Sequence, residues 1–134
     1  MRYPLLTAEA AAALIQNGEC IGLSGFTEAG AVKVVPKALA ERAKAEHAAG
    51  RPFSVMVMCG ASNSPAVDGE LAQAECVSRR MPYMSCPRTR AQINNAELPY
   101  IEPHISLFAQ NMRYGIIPRV NTAIVEVCDI TDDG

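Results

Sequence analysis

The feature that most constrains the fold of this chain is an apolar run at residues 53–62, which ends in a glycine, an alanine and a serine. A short continuous run of apolar and β-branched residues is typical of a strand that is buried on both faces. In open parallel sheets, ligands bind just beyond the carboxyl ends of such strands. We therefore expect Gly60 to allow a sharp turn at this edge and the Ser62 hydroxyl to face a crevice.

Segments with helical and extended patterns alternate on both sides of this run, which predicts an α/β domain around a mainly parallel sheet with helices on both faces. Thr7 is expected to cap the first helix and Ser106 the last, and Pro36 is expected in the first turn of the second helix, where Lys37 can pair with Glu41. Besides the central run, strands are predicted at residues 20–24 and 122–128, and extended segments at 83–86 and 100–105. Helices are predicted at 7–17, 32–50, 68–76, 88–98 and 106–115, and Ser78, Arg79 and Arg80 are expected toward the end of the third.

Length and charge limit the classes of function. The 134 residues predict one domain, and 49% hydrophobic and 19% charged residues are ordinary for a folded protein. The formal net charge is −2, and basic residues do not cluster with aromatic ones, so neither nucleic acid nor an anionic membrane is an expected partner. No segment resembles a signal peptide or a membrane span, which predicts a cytoplasmic location.

The five cysteines and two histidines do not form a recognisable site in the sequence. The cysteines are odd in number, scattered and without a CxxC pair, so neither a disulfide framework nor a zinc site is expected, and no metal is predicted. Most cysteines are expected to be small buried apolar residues. Cys59 and Cys86 lie near the expected site, where a reactive thiol is the less favoured alternative. His104 is either a general base or a hydrogen-bonded structural histidine, and the second reading is favoured because no neighbouring group marks a triad.

Two further patterns have an ordinary structural interpretation. The glycines at residues 22–30 match neither GxGxxG nor a Walker loop, so a tight strand-to-helix turn is favoured over a dinucleotide site. The Arg79 and Arg80 pair is interpreted as a solvated face or a subunit contact. The chain ends directly after a predicted buried strand, where a further element is expected.

Several short segments, taken together and in order, resemble one protein family. They include Ser24-Gly-Phe-Thr27, Gly60-Ala-Ser62, Arg79-Arg-Met-Pro-Tyr83, His104-Ile-Ser106 and Asn121-Thr-Ala-Ile-Val-Glu126. This set is similar to the N-terminal domain of the acetyl-CoA hydrolase/transferase family, the class I CoA-transferases, and the resemblance covers nearly all of residues 1–134. It implies a CoA-transferase fold of the NagB/RpiA-like type.

The resemblance also implies a reaction. A family member moves CoA from a short-chain acyl-CoA such as acetyl-CoA to a carboxylate such as succinate or acetate, through a glutamyl-CoA intermediate. The glutamate and most CoA contacts lie in the family's C-terminal domain, which no segment here matches, so this chain alone is expected to lack the nucleophile. Coenzyme A enters as a substrate, and the implied partners are that C-terminal half and a second copy in a homodimer.

The resemblance assigns a carboxylate pocket to this domain. By position, Ser62 and Ser85 match two hydroxyls that hold the substrate carboxylate without neutralising it, and the substrate-binding residues expected from the resemblance are Gly25, Phe26, Thr27, Gly60, Ala61, Ser62 and Ser85. Three alternatives stay open: an acyl-CoA hydrolase, a non-catalytic binding or assembly domain, and, by fold analogy, a sugar-phosphate isomerase.

Overall fold

The computed structural model describes residues 3–132, in which strands and helices alternate along the chain. The strands are β1 (Cys20–Leu23), β2 (Val55–Cys59), β3 (Val77–Met81) and β4 (Thr122–Ile124). The α-helices are α1 (Ala8–Leu14), α2 (Val34–Ala48), α3 (Glu70–Gln73), α4 (Pro87–Asn94) and α5 (Ile105–Arg113), and a π-helical turn, Pro65–Gly69, precedes α3.

The four strands form one parallel sheet in the order β3-β2-β1-β4. From β1 the chain moves outward through β2 to β3 and then returns to place β4 on the other side of β1. The strand order therefore reverses between β1 and β4, and in open α/β sheets ligands bind near such a reversal, at the carboxyl ends of the strands. The predicted α/β class and parallel sheet are confirmed.

Side chains alternate between two cores because successive residues of a strand point to opposite faces of the sheet. On one face Ile21, Leu23, Val55 and Val57 pack with apolar residues of α1, α2 and α3. On the other face Cys20, Met58 and Met81 pack with Phe108 and Met112 of α5. Helices on both faces of the sheet were predicted, and the structure confirms them.

The N-terminal ends of the first two helices, α1 and α2, have the residues that the sequence predicted for them. The Thr7 Oγ1 atom accepts a hydrogen bond from the Ala10 amide at 3.2 Å, so Thr7 caps α1 as predicted. The helix itself consists mainly of alanine, which has the highest helix propensity. Pro36 lies in the first turn of α2, also as predicted. Glu41, however, pairs with Lys44 at 2.7 Å rather than with Lys37.

Three predicted elements are corrected. The segment around Arg79 and Arg80 was placed at the end of a helix, but Val77–Met81 is a strand that pairs with β2. The last strand ends at Ile124 instead of residue 128. The cap of α5 is His104, whose side chain accepts from the Ser106 amide, so Ser106 lies inside the helix.

Candidate functional site

A crevice of about 460 Å³ lies at the edge of the sheet where β2 and β3 end. One wall comes from Gly60 and Ala61 after β2, and another from Pro82 and Tyr83 after β3. Phe26 of the loop after β1 and residues 102–105, which lead into the first residue of α5, complete it. Of the seven predicted substrate-binding residues, Phe26, Gly60 and Ala61 line this crevice.

Two of the predicted glycines allow the loops after β1 and β2 to approach each other. Gly25 has φ +122°, and a Cβ atom there would lie 2.2 Å from the Asn63 Oδ1 atom. A Cβ atom on Gly60 would lie 3.3 Å from the Gly25 carbonyl oxygen. A larger residue at Gly25 must therefore move the Asn63 side chain, and it also crowds the Ala31 backbone, whose Cα atom would lie 3.1 Å away.

Ser62 lies behind the crevice rather than in it. Its side chain is completely buried, and its hydroxyl donates to the Asp68 Oδ2 atom at 3.2 Å. The same carboxylate oxygen accepts from the Asn63 amide at 2.6 Å. The expectation that the Ser62 hydroxyl faces a crevice is wrong for this structure, because Asp68 of the π-helical turn provides an internal acceptor.

Arg80 connects the turns that follow β2 and β3. The Arg80 Nε atom donates to Asp68 Oδ1 at 3.2 Å, and both side chains are almost completely shielded from solvent. Its two terminal nitrogens donate to the Ala61 carbonyl at 3.1 Å and to the carbonyls of Met81 and Pro82. Arg80 is thus an internal brace behind the crevice, and its interpretation as a solvated side chain is wrong.

The remaining predicted positions lie outside the lining of the crevice. Thr27 is exposed, has φ 58°, and its hydroxyl donates to the Phe26 carbonyl at 2.6 Å within a tight turn. Ser85 is exposed in the segment between β3 and α4. The structure therefore brings Phe26, Gly60 and Ala61 together at the crevice, whereas Ser62 is buried, Ser85 is exposed, and neither belongs to the lining.

Two interpretations of His104 were open, a general base and a structural histidine. The structure shows it as a hydrogen-bonded residue of the crevice wall. Its Nδ1 atom accepts from the Ser106 amide at 3.3 Å and lies 2.7 Å from the Ser106 hydroxyl. The neighbouring Glu102 carboxylate accepts from the Tyr100 hydroxyl at 2.7 Å. Burial raises the pKa of Tyr100, and this hydrogen bond adds to the effect.

The thiols near the site lack the environment of an activated nucleophile. Cys59 and Cys86 are both buried. Burial raises the pKa of Cys59, although the Arg80 guanidinium acts in the opposite direction. A raised pKa keeps Cys59 in the unreactive thiol form at neutral pH.

Sequence reasoning missed Asp68 and Arg80 as partners and did not consider Asn63. Both polar atoms of the buried Asn63 side chain lack hydrogen-bond partners within the described residues. No local signal marked Arg80 as buried, because in a strand it shares a face with Ser78, which is exposed. Nothing local to Asp68 indicated that its partner lay twelve residues further on.

Residues 3–132 contain neither a metal-ligand cluster nor a membrane-spanning helix. No three His, Cys, Asp or Glu side chains in this part of the chain come together as a metal site would require. None of its helices is both long enough and apolar enough to cross a bilayer.

Comparison with known proteins identifies the family. The family model described as the acetyl-CoA hydrolase/transferase N-terminal domain matches residues 2–134. The chain belongs to this family. The family predicted from the sequence motifs is therefore confirmed.

Two curated relatives represent both activities in the family's description. The succinyl-CoA:acetate CoA-transferase of Clostridium kluyveri is 38% identical over 134 residues, which are 100% of this chain and 24% of that protein. An acetyl-CoA hydrolase of Schizosaccharomyces pombe is 30% identical over 125 residues, which are 89% of this chain and 24% of that protein. The chain thus spans about a quarter of the length of these relatives.

A solved structure supports the fold. An acyl-CoA transferase of E. coli O157:H7, described as a thioester complex with CoA, superposes with a TM-score of 0.67. It is 15% identical and the match covers 88% of this chain and 24% of that one. At this identity the likeness concerns the fold alone.

Proposed function

We propose that this chain is the N-terminal domain of a CoA-transferase that moves CoA between a short-chain acyl-CoA, such as acetyl-CoA, and a carboxylate, such as succinate or acetate. In this proposal a glutamate outside residues 1–134 attacks the thioester, carries CoA as a glutamyl thioester and passes it to the acceptor acid. CoA is a substrate, and no metal takes part. The protein acts in the cytoplasm as a homodimer.

The observation that carries the proposal is the 38% identity to a succinyl-CoA:acetate CoA-transferase across the whole chain. The hydrolase relative has lower identity over a shorter alignment, 30% over 125 residues. Hydrolysis of acyl-CoA, in which water replaces the acceptor acid, is the second candidate because that relative is named for it.

Within this proposal, the crevice after β2 and β3 lies on the substrate side of the sheet. Ser85 is exposed in the segment between β3 and α4, where its hydroxyl can turn toward a carboxylate. Ser62 requires a rearrangement, because its hydroxyl must leave Asp68 Oδ2 before it can donate to a ligand. Hydroxyl donors suit this role, since they orient a carboxylate without cancelling the charge that makes it nucleophilic.

The test uses the protein expressed at its full natural length, incubated with acetyl-CoA in the presence and absence of succinate. A transferase forms succinyl-CoA and acetate only when succinate is present, and a hydrolase releases free CoA without it. Borohydride should trap a CoA-dependent thioester on a glutamate. If neither succinyl-CoA nor the trapped thioester forms, the transferase proposal fails.

The two serines are tested in the same assay. Replacement Ser85→Ala should raise the KM for the carboxylate and leave thermal stability unchanged. Replacement Ser62→Ala should also lower stability, because it removes a buried hydrogen bond to Asp68. If Ser85→Ala leaves every kinetic constant unchanged, Ser85 does not hold the substrate.

A further inference from the structure

The hydrogen bonds of His104 determine which of its ring nitrogens carries a proton. A backbone amide can only donate, so the contact from the Ser106 amide makes Nδ1 an acceptor. The Ser106 hydroxyl, 2.7 Å from the same nitrogen, is then a second donor. A neutral imidazole has one N–H group, which is therefore on Nε2. Nδ1 is occupied by the first turn of α5, so Nε2 is the ring nitrogen left for a ligand, and His104 is one of the residues that line the crevice.

The rest of the crevice limits what this N–H group can bind. Its walls are mainly apolar and include Phe26, Pro82, Tyr83 and Ile105. The residues that line the crevice include Glu102, whose carboxylate repels an anion. A hydrogen-bond donor beside apolar walls and a negative charge suits a neutral carbonyl oxygen better than a carboxylate.

We propose that the crevice binds the thioester or amide portion of an acyl-CoA and that the His104 Nε2–H group donates a hydrogen bond to one of its carbonyl oxygens. The apolar walls contact the short carbon segments between these carbonyls. Ser106 is the positioning residue, because it holds the ring in the required tautomer. This inference rests on the proposed function for the class of ligand.

Two substitutions separate the cap of α5 from ligand binding. In His104→Asn the amide oxygen takes the place of Nδ1 as acceptor for the Ser106 amide, so the cap is kept while the Nε2–H donor is lost. In His104→Gln the side-chain amide reaches the place of Nε2, so a donor is kept while the cap is lost. A purely structural His104 predicts normal binding in His104→Asn and reduced stability in His104→Gln.

The experiment uses the protein at its full natural length, with histidine labelled with ¹⁵N. The probes are S-acetyl-N-acetylcysteamine, which has one thioester and one amide carbonyl, and sodium acetate, which has only a carboxylate. We expect the thioester probe to shift the His104 Nε2 resonance and to bind about three- to tenfold more weakly to His104→Asn, the loss that one hydrogen bond produces. Acetate should leave this resonance unchanged, and His104→Asn should unfold at the wild-type temperature.

Each other outcome overturns the inference. These outcomes are a proton on Nδ1, no response to the thioester probe, an equal response to acetate, or wild-type affinity in His104→Asn. Because ligand binding is measured without turnover, the His104 proposal and the CoA-transferase proposal can fail independently of each other. A His104 response without CoA exchange rejects the transferase, and CoA exchange with an unchanged KM for acetyl-CoA in His104→Asn rejects the role of His104.

Discussion

The Arg80 Nε atom donates to the Asp68 Oδ1 atom at 3.2 Å inside the protein, between the π-helical turn and β3. The pair is satisfied by further hydrogen bonds from Ser62 and Asn63 to the carboxylate and from Arg80 to three carbonyls. Because two of these carbonyls belong to Ala61 and Pro82, which line the crevice, the ion pair ties both walls to the buried arginine.

Replacement Asp68→Asn should destabilise the protein by about 3 kcal/mol, because it leaves the buried Arg80 charge without a counter-ion. Urea unfolding measures the change. The matched control is Glu41→Gln, which removes an exposed carboxylate from its pair with Lys44 and should leave the unfolding midpoint unchanged. Equal midpoints for the two variants would show that Arg80 does not depend on Asp68.

Replacement Gly25→Ala should cost about 1–3 kcal/mol more than Gly18→Ala. Both glycines have positive φ, but a Cβ atom at Gly18 meets nothing within 4 Å whereas one at Gly25 meets Asn63. Chemical denaturation of the two variants gives the difference. Adding Asn63→Ala should recover part of the loss at Gly25 and none of the loss at Gly18; purely additive effects would contradict the contact.

Replacement Arg42→Ala should lower the free energy of unfolding by about 2 kcal/mol. The Arg42 guanidinium donates to the carbonyls of Ala12 and Ile15 at 2.7 and 2.6 Å and lies 4.6 Å from the centre of the Phe53 ring. A hydrogen bond from a charged donor contributes about 1.5–3 kcal/mol. The control, Arg51→Ala, removes an exposed arginine and should unfold like the wild type, so a similar loss in both variants would refute the specific role of Arg42.

Stability should decline between about pH 9 and pH 11. Burial raises the pKa of Cys20 and of Cys76 to about 11, from an ordinary value of 9.0. In this interval the unfolded chain loses thiol protons that the folded protein retains, so raising the pH favours unfolding, and the contribution is fully present below pH 9. Urea unfolding of the wild type and of Cys20→Ala/Cys76→Ala across this range should give a smaller slope in the double variant; identical slopes would exclude both thiols as the cause.

The central features of the fold were predictable because they follow from local patterns. The apolar run that contains Val55 and Val57 predicts β2 without knowledge of its neighbours, and the glycines at positions 25 and 60 mark the loops that meet at the crevice. The family was equally accessible, because its motifs occur in order along the chain.

What could not be predicted depends on partners that are distant in the sequence. Arg80 carries a charged guanidinium, which normally stays in water, and only the position of Asp68 in the folded protein makes its burial favourable. Ser62 follows the predicted strand, yet the same carboxylate turns its hydroxyl inward. The apolar residues after Ile124 have the pattern of a strand, but within the described residues pairing with β1 ends there.

The position of β4 beside β1 also affects the order of folding. The Cys20 amide donates to the Asn121 side chain and the Glu126 amide to the Ser24 hydroxyl, which are contacts across 101 and 102 residues. Such contacts close a long loop and carry a larger entropic cost than the shorter crossovers from β1 to β2 and from β2 to β3. During synthesis on the ribosome, residues 122–124 emerge after β2 and β3, so among the strands of residues 3–132 we expect β4 to pair with β1 last.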